Sequence, residues 1–105
     1  MNLRIDEKIS QDHKDKIKLS ANLLKTISNP IRLCLVEKLI NEGETNVNSI
    51  VECMGLSQPN ISQHLKILRD NDIVSSRRVE NQIFYSCHRR DIKKIIACLN
   101  QEDEL

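Results

Sequence analysis

The chain has 105 residues with only two glycines and two prolines, so it lacks both a long flexible linker and the length for a second core. Sixteen basic and 15 acidic side chains give a net charge of +1, so any positive surface must be confined to one segment. Four cysteines that follow no apolar leader predict reduced thiols in a cytoplasmic protein without a membrane span. We expect residues 1–105 to form one domain. The scarcity of aromatic residues favours helices that complete their core with a second copy of the chain.

Two long helices are predicted before the centre of the chain. The first runs from about Gln11 to Ile27, and apolar residues at helical spacing line one face: Ile17, Leu23, Leu24 and Ile27. The second runs from Pro30, which is suited to a first helical turn, to about Asn41. It is apolar on most sides, Cys34 included, so we expect it to be the central helix of the core.

A short helix, a sharp turn and a second helix are predicted between Val47 and Val74. Asn46 is suited to cap the first of these helices, and Gly55 to end it near Met54, because glycine adopts the left-handed conformation that often follows a helix. Ser57 is suited to cap the second helix. A helix-turn-helix joined through glycine is the geometry expected for binding in a DNA groove.

The second helix of this motif has one narrow apolar stripe and an opposite polar face. Ile61, Leu65 and Leu68 lie at i, i+4 and i+7, so they should face a core. The other side presents side chains suited to DNA, four outward and two at the edges: Gln58, Ser62, Gln63 and Lys66, with Asn60 and His64. Amides read adenine edges in the major groove, serine contacts base or phosphate, and lysine neutralises phosphate. Such a face is typical of a recognition helix, and the alternative is a helical hairpin with a merely solvated face.

Two β-prone runs follow, residues 73–79 and 82–87, separated by the two-residue turn Glu80–Asn81. They predict a β-hairpin, or wing, beside the recognition helix. Arg77 and Arg78 lie near its tip, from which they could reach phosphate or the minor groove.

Basic residues are concentrated on the predicted helix-turn-helix and wing. Between Ser57 and Arg90 there are six basic residues against three acidic ones, so this segment carries +3 and the remainder −2. This distribution is the electrostatic footprint of a nucleic-acid-binding surface.

A final helix is predicted from His88 to about Gln101. Its apolar face comprises Ile92, Ile95, Ile96 and Leu99, with Cys98 at the margin of that face. The acidic tail from Glu102 should be solvated. The predicted order is therefore ααα-α-ββ-α, a mostly α fold with a small β-hairpin (α+β) and a winged helix-turn-helix.

This order, together with the segments NPIRL, LSQPNISQHLKILRDNDIV and QIFYS, resembles the ArsR family of bacterial winged-helix repressors between about Leu19 and Leu99. The resemblance implies a homodimer joined through the first and last helices. It also implies binding to an imperfect palindrome and release from DNA by a small inducer. In that family the positions occupied here by Gln58, Ser62 and Gln63 face the DNA.

Metal-sensing members that resemble this chain use either a CxC pair near the start of the first motif helix or carboxylate and histidine ligands on the last helix. Here the first position reads Asn46-Val47-Asn48, so an arsenic or cadmium site of that type is lost. On the last helix Asp91 stands without a following histidine, and the three histidines offer no tetrahedral cluster: His13, His64 and His88. We expect no resident metal and no other cofactor.

Cys34 and Cys98 are the candidate sensor residues, because they lie on the core helix and the terminal helix, which should pack together. A thiol pair there could close a disulfide or polysulfide bridge and move the dimer helices. One branch of the resembled family senses reactive sulfur through one cysteine on each of these helices, and ANLLKTISNPIRL with QIFYS resembles that branch. The cysteines of that branch lie about one turn further along each helix than Cys34 and Cys98 do. The alternative is that both are small buried hydrophobes, and Cys53 and Cys87 are weaker candidates.

Other functions stay open at this point. The chain could be a repressor of the same fold that responds to a metal or metalloid or to no inducer, or a dimeric interaction module that does not bind DNA. No nucleophile and base arrangement and no glycine-rich phosphate loop is visible, so no enzyme is expected. The expected partners are operator DNA, a second copy of the chain, and an inducer such as a reactive sulfur species, an oxidant or a soft metal.

Overall fold

The computed structural model describes residues 9–101, which contain five helices and a three-stranded antiparallel sheet. The elements in chain order are α1 (Gln11–Ile27), α2 (Pro30–Glu42), β1 (Thr45–Asn46), α3 (Val47–Met54), α4 (Gln58–Asp70), β2 (Ser75–Val79), β3 (Gln82–Ser86) and α5 (Arg90–Leu99). The predicted winged helix-turn-helix is confirmed, with β1 as an additional strand. The predicted tail from Glu102 lies outside the described residues. None of the helices between residues 9 and 101 has the length and apolar character to cross a membrane.

The first four helices each begin at a side chain that accepts a backbone N–H: Ser10, Asn29, Asn46 and Ser57. The carboxamide oxygen of Asn29 accepts from the N–H groups of Ile31 and Arg32, at 3.0 and 3.1 Å. Capping of this kind satisfies donors that have no partner within the helix. The predicted caps Asn46 and Ser57 are confirmed, and Gly55 ends α3 in the left-handed conformation at φ +66°.

Helix α2 lies at the centre of the core, as predicted. Leu35, Val36 and Leu39 are almost fully buried and belong to one cluster with apolar residues of α3, α4 and α5: Ile50, Ile61, Leu65, Leu68, Ile92 and Ile96. The prediction that Cys34 belongs to this core is wrong, because its residue is exposed. Successive residues of a helix are about 100° apart, so the core side formed by Leu35, Val36 and Leu39 leaves Cys34 on the outer side.

The sheet has the strand order β1-β3-β2. Val79 pairs with Gln82 across the two-residue turn, which confirms the predicted hairpin. Strand β2 begins two residues later than expected, because Ile73 and Val74 are buried in the segment that leads into it, and β3 ends at Ser86. Strand β1 pairs Thr45 with Tyr85 and Asn46 with Phe84. It therefore joins the start of α3 directly to the wing.

Helices α1 and α5 leave large apolar side chains on the surface. Leu19, Leu24 and Leu99 are 73%, 51% and 62% exposed, while Ile27 on α1 is buried. The predicted stripe of α1 is thus divided between the core and the outside. Helix α5 is shorter than predicted, and only its inner residues Ile92 and Ile96 are buried.

One side chain of α2 connects α1 to α4. The Nε of Arg32 donates to the carbonyl oxygen of Thr26 at 2.6 Å, and its Nη1 lies 3.2 Å from Nδ1 of His64. Since a guanidinium group has only donors, the ring nitrogen of His64 is the acceptor in this contact. Arg32 thus links the end of α1 to the side of α4.

Replacing Arg32 by methionine should destabilise the fold, because it leaves two half-buried acceptors without their donor. We expect a loss of about 1.5–3 kcal/mol, the range for hydrogen bonds that involve a charged group. Urea unfolding at one fixed protein concentration measures it. The matched control is Arg90→Met, since Arg90 is exposed at the start of α5. Equal losses for the two variants would contradict a specific role for Arg32.

Candidate nucleic-acid interface

Helix α4 separates an inner apolar stripe from an outer polar face. Ile61, Leu65 and Leu68 are fully buried, as predicted. The outer residues Gln58, Gln63 and Lys66 are exposed, and Asn60 and Ser62 are partly exposed. The burial pattern therefore leaves the predicted DNA-facing residues of α4 accessible to a partner.

The start of α4 is held by local contacts. The hydroxyl oxygen of Ser57 accepts the N–H of Asn60 at 3.3 Å, so this serine acts as a cap. His64, predicted at the edge of the outer face, is only partly exposed, and Nδ1 of its ring is used by Arg32. His64 therefore helps to hold the helix in place.

A polar notch of about 110 Å³ lies between the recognition helix and the wing. Gln58 and Ser62 form one wall, and the other polar residues come from the start of α3 and the turn of the wing: Asn46, Asn48, Asn81 and Gln82. The amide of Asn46 donates to the side-chain oxygen of Gln82 at 3.4 Å. Four of these side chains were not among the predicted site residues. They come together because strand β1 pairs Asn46 with Phe84 of β3, and no local pattern in the sequence predicts that pairing.

Arg77 forms a bidentate ion pair with Glu44. Its Nε and Nη2 each donate to a carboxylate oxygen of Glu44 at 2.7 Å, and its guanidinium lies 5.8 Å from the centre of the Phe84 ring. The hydrogen bond to Arg77 lowers the pKa of Glu44, and the hydrogen bond to Glu44 raises the pKa of Arg77. Both groups therefore remain charged, and the pair joins the wing to the segment before β1.

Arg78 occupies the opposite side of β2, because successive side chains of a strand point to opposite faces. It pairs with Ile83 in the hairpin and is exposed. Among the described residues, Arg78 takes part in no salt bridge. Its guanidinium can therefore reach a phosphate without breaking an existing ion pair.

Lys66 is paired with Asp70 one helical turn further along α4. Their charged atoms are 2.6 Å apart, with side-chain exposures of 65% and 51%. The hydrogen bond to Lys66 lowers the pKa of Asp70. Because both groups are in solvent, this pair contributes little to stability.

The four cysteines differ in their exposure to solvent. Cys34, Cys53 and Cys98 are exposed, so the alternative in which Cys34 and Cys98 are small buried hydrophobes is wrong. Cys87 is buried, and burial raises the pKa of its thiol. Within residues 9–101, no three histidine, cysteine or acidic side chains come together in an arrangement that could hold a metal ion.

Comparison with known proteins agrees with this geometry. Residues 29–76 match the family described as "Bacterial regulatory protein, arsR family". The chain is 45% identical over 89 residues to the biofilm growth-associated repressor of Xylella fastidiosa, which covers 85% of this chain and 77% of that protein. It is 34% identical over 104 residues to the nodulation protein NolR of Rhizobium meliloti, covering 95% and 84%.

A solved structure extends the agreement to three dimensions. The transcriptional repressor BigR from Xylella fastidiosa matches with a TM-score of 0.78 at 37% identity, covering 90% of this chain and 96% of that chain. The two Xylella fastidiosa proteins are named as repressors, and the predicted resemblance to the arsR family is confirmed. The chain therefore belongs to the arsR family of bacterial regulatory proteins, and it is a DNA-binding regulator of transcription with a winged helix-turn-helix fold.

Proposed function

We propose that this chain is a cytoplasmic, homodimeric repressor that binds an imperfect palindromic operator and is released from it by thiol chemistry at Cys34 and Cys98. The main support is the outer face of α4. Its buried stripe holds the helix by one side only, while Gln58, Gln63 and Lys66 remain exposed on the other. A helix of this kind can enter the major groove without losing its packing.

The roles of the predicted DNA-contacting residues follow from their positions. Gln58, Ser62 and Gln63 read base edges, with Asn60 beside them, and Lys66 exchanges Asp70 for a phosphate. Ser62 and Gln58 also line the polar notch, over which the DNA backbone passes between the recognition helix and the wing.

The two arginines of the wing are proposed to act differently. Arg78 contacts phosphate directly, because no described ion pair competes for it. Arg77 contacts phosphate only in competition with Glu44, which already accepts two hydrogen bonds from it.

Dimerisation is supported by the apolar outer surfaces of α1 and α5. Along α1 a groove of about 360 Å³ has an almost entirely apolar surface between His13 and Leu24, and Ser20 and Ala21 in it are small enough to let another helix approach. A two-fold axis here would place the recognition helices about 34–36 Å apart, as successive major grooves on one side of the duplex require.

The thiol response is supported by the exposure of Cys34 and Cys98 and by a contact between their helices. The side-chain amide of Asn100, which follows α5, donates to the carboxylate of Glu37 on α2 at 2.8 Å. Glu37 lies one turn after Cys34, so the end of α5 reaches the part of α2 that carries this thiol. A bridge between the two cysteines would act as a switch if the linked dimer fits DNA less well than the reduced one.

Two rival functions make different predictions. A repressor of the same fold without an inducer, or with a metal as inducer, would keep its operator affinity under every thiol treatment. A dimeric interaction module would bind no DNA at all, so it would lack the fall of log affinity with log salt that phosphate contacts produce.

Gln63→Ala and Ser62→Ala should weaken operator binding far more than binding to random DNA. Each should lose about 1–3 kcal/mol on the operator, or about 5- to 150-fold, because a base contact is removed. Mobility shift on the upstream promoter DNA and on a scrambled duplex measures the difference. Asn41→Ala is the matched control, since it removes an exposed amide at the end of α2, outside the proposed DNA-binding face. Equal losses on both duplexes would refute base reading by α4.

Arg78→Ala should weaken binding to any duplex and make the salt dependence of log affinity shallower by about 0.9, the value for one phosphate contact. Glu44→Gln should do the opposite and strengthen binding to any duplex, because it releases Arg77. Fluorescence anisotropy over a range of salt concentrations measures both effects. Glu52→Gln controls for the change in charge at an exposed site of α3. An unchanged slope for Arg78→Ala would mean that the wing does not contact the backbone.

Leu24→Glu should convert the dimer to monomers, because it places a charge in the apolar groove of α1. Sedimentation velocity at micromolar concentration reads the change. Ile83→Glu is the control, since Ile83 on the wing is similarly exposed, at 41%, but lies outside the proposed interface. A wild-type chain that sediments as a monomer would contradict the dimer. A Leu24→Glu variant that remains dimeric would contradict an interface through the α1 groove.

A further inference from the structure

An open groove of about 320 Å³ lies between the outer side of α2 and the last turn of α3. Seven residues line it: Cys34, Glu37, Lys38, Asn41, Glu42, Cys53 and Met54. Both of its cysteines are exposed. The groove therefore brings together two of the three exposed thiols found in the described part of the chain.

The spacing of residues along α2 and α3 explains why these side chains line one groove. Cys34, Lys38 and Glu42 are four residues apart, so they lie along one side of α2, away from its buried side. Cys53 lies in the last turn of α3, two residues before the turn at Gly55. The second thiol is therefore presented at the end of a helix, where it meets the outer side of α2.

Lys38 lines the same groove as Cys34 and Cys53. Its side chain is only 10% exposed, and its ammonium group is held 2.7 Å from the carboxylate of Glu42. The hydrogen bond to Glu42 raises the pKa of Lys38, and the neighbouring thiol of Cys53 contributes in the same direction. Lys38 lines the same groove as Cys53, so a cation is available there to pair with a thiolate.

We propose that Cys34 and Cys53 form a dithiol site that reacts with low-molecular-weight disulfides, first through Cys53 and then through Cys34. The thiolate of Cys53 attacks one sulfur of the small disulfide, forms a mixed disulfide and releases one small thiolate, which takes up a proton. The thiolate of Cys34 then attacks the sulfur of Cys53, forms the Cys34–Cys53 disulfide and releases the second small thiolate. The two cysteines lose two electrons, and the small disulfide gains them as two thiols.

The other cysteines do not fit this site. Cys87 is buried, and the raised pKa of its thiol disfavours the reactive thiolate. Cys98 is exposed on α5 but does not line the groove. The site shares Cys34 with the proposed thiol response and needs no DNA binding. A Cys34 that is linked to Cys53 cannot pair with Cys98, so the two linkages are alternatives.

The test treats the reduced, full chain with glutathione disulfide and maps its peptides without reduction. We expect a cross-linked peptide pair that contains Cys34 and Cys53. The Cys34→Ser variant should stop at the mixed disulfide on Cys53, because the second thiol is missing. The Cys98→Ser variant should react like the wild type. A predominant link from Cys34 to Cys98, or a Cys53 that stays reduced, would overturn the site.

The role of Lys38 has its own readout in the same reaction. Lys38→Met should slow the formation of the mixed disulfide on Cys53 several-fold, whereas Lys18→Met, on the exposed side of α1, should not. Circular dichroism shows whether each variant is folded. Equal rates in folded variants would overturn the assignment of Lys38. Because these readouts are covalent, a failure of operator binding leaves them unaffected, and a Cys34–Cys98 link would support the proposed thiol response while refuting this site.

Discussion

The link that Arg32 makes between α1 and α4 decides which way the recognition helix faces. Apolar stripes such as Ile61, Leu65 and Leu68 hold a helix against a core, but packing alone tolerates some rotation about the helix axis. The hydrogen bonds of Arg32 are directional, and they anchor one side of α4 to the end of α1. Rotation by one residue position would turn Gln63 away from a groove and bring His64 toward it. The outward direction of Gln63 thus depends in part on the hydrogen bond between Arg32 and the neighbouring residue His64.

Most basic side chains of the candidate interface already form ion pairs within the chain. Lys66 is paired with Asp70, and Arg77 is paired with Glu44, so two of its three basic side chains already have an anionic partner. Binding to a phosphate then exchanges one ion pair for another and gains less than a new contact would. A chain with a net charge of +1 is therefore poorly suited to bind DNA by charge alone. In the proposed complex, the amide side chains on α4 and around the polar notch would therefore carry more of the discrimination between sequences.

Local signals predicted the helix-turn-helix well, because a cap and a turn are decided by a few neighbouring residues. The bounds of α3 agree with the prediction, since Asn46 caps it and Gly55 ends it. Strand β1 was missed because it has only two residues, too few to show the alternation of apolar and polar residues that predicts a strand. Its partners Phe84 and Tyr85 also lie about 40 residues away in the sequence. The contact between Arg77 and Glu44 spans 33 residues for the same reason. The exposure of Cys34 depends on which side of an apolar helix meets the core, and composition alone does not decide that.

The turn of the wing has a consequence for how the hairpin keeps its shape. Glu80 adopts a left-handed backbone at φ +57°, a conformation that costs a residue with a side chain about 1 kcal/mol relative to glycine. The hairpin is therefore stabilised less by its own turn than by its pairing with strand β1 and by the ion pair between Arg77 and Glu44. If a phosphate competes with Glu44 for Arg77, as proposed, it would remove one of the contacts that hold the hairpin in place. A phosphate bound by Arg77 would therefore make the wing more flexible, whereas one bound by Arg78 would leave the Arg77–Glu44 pair intact.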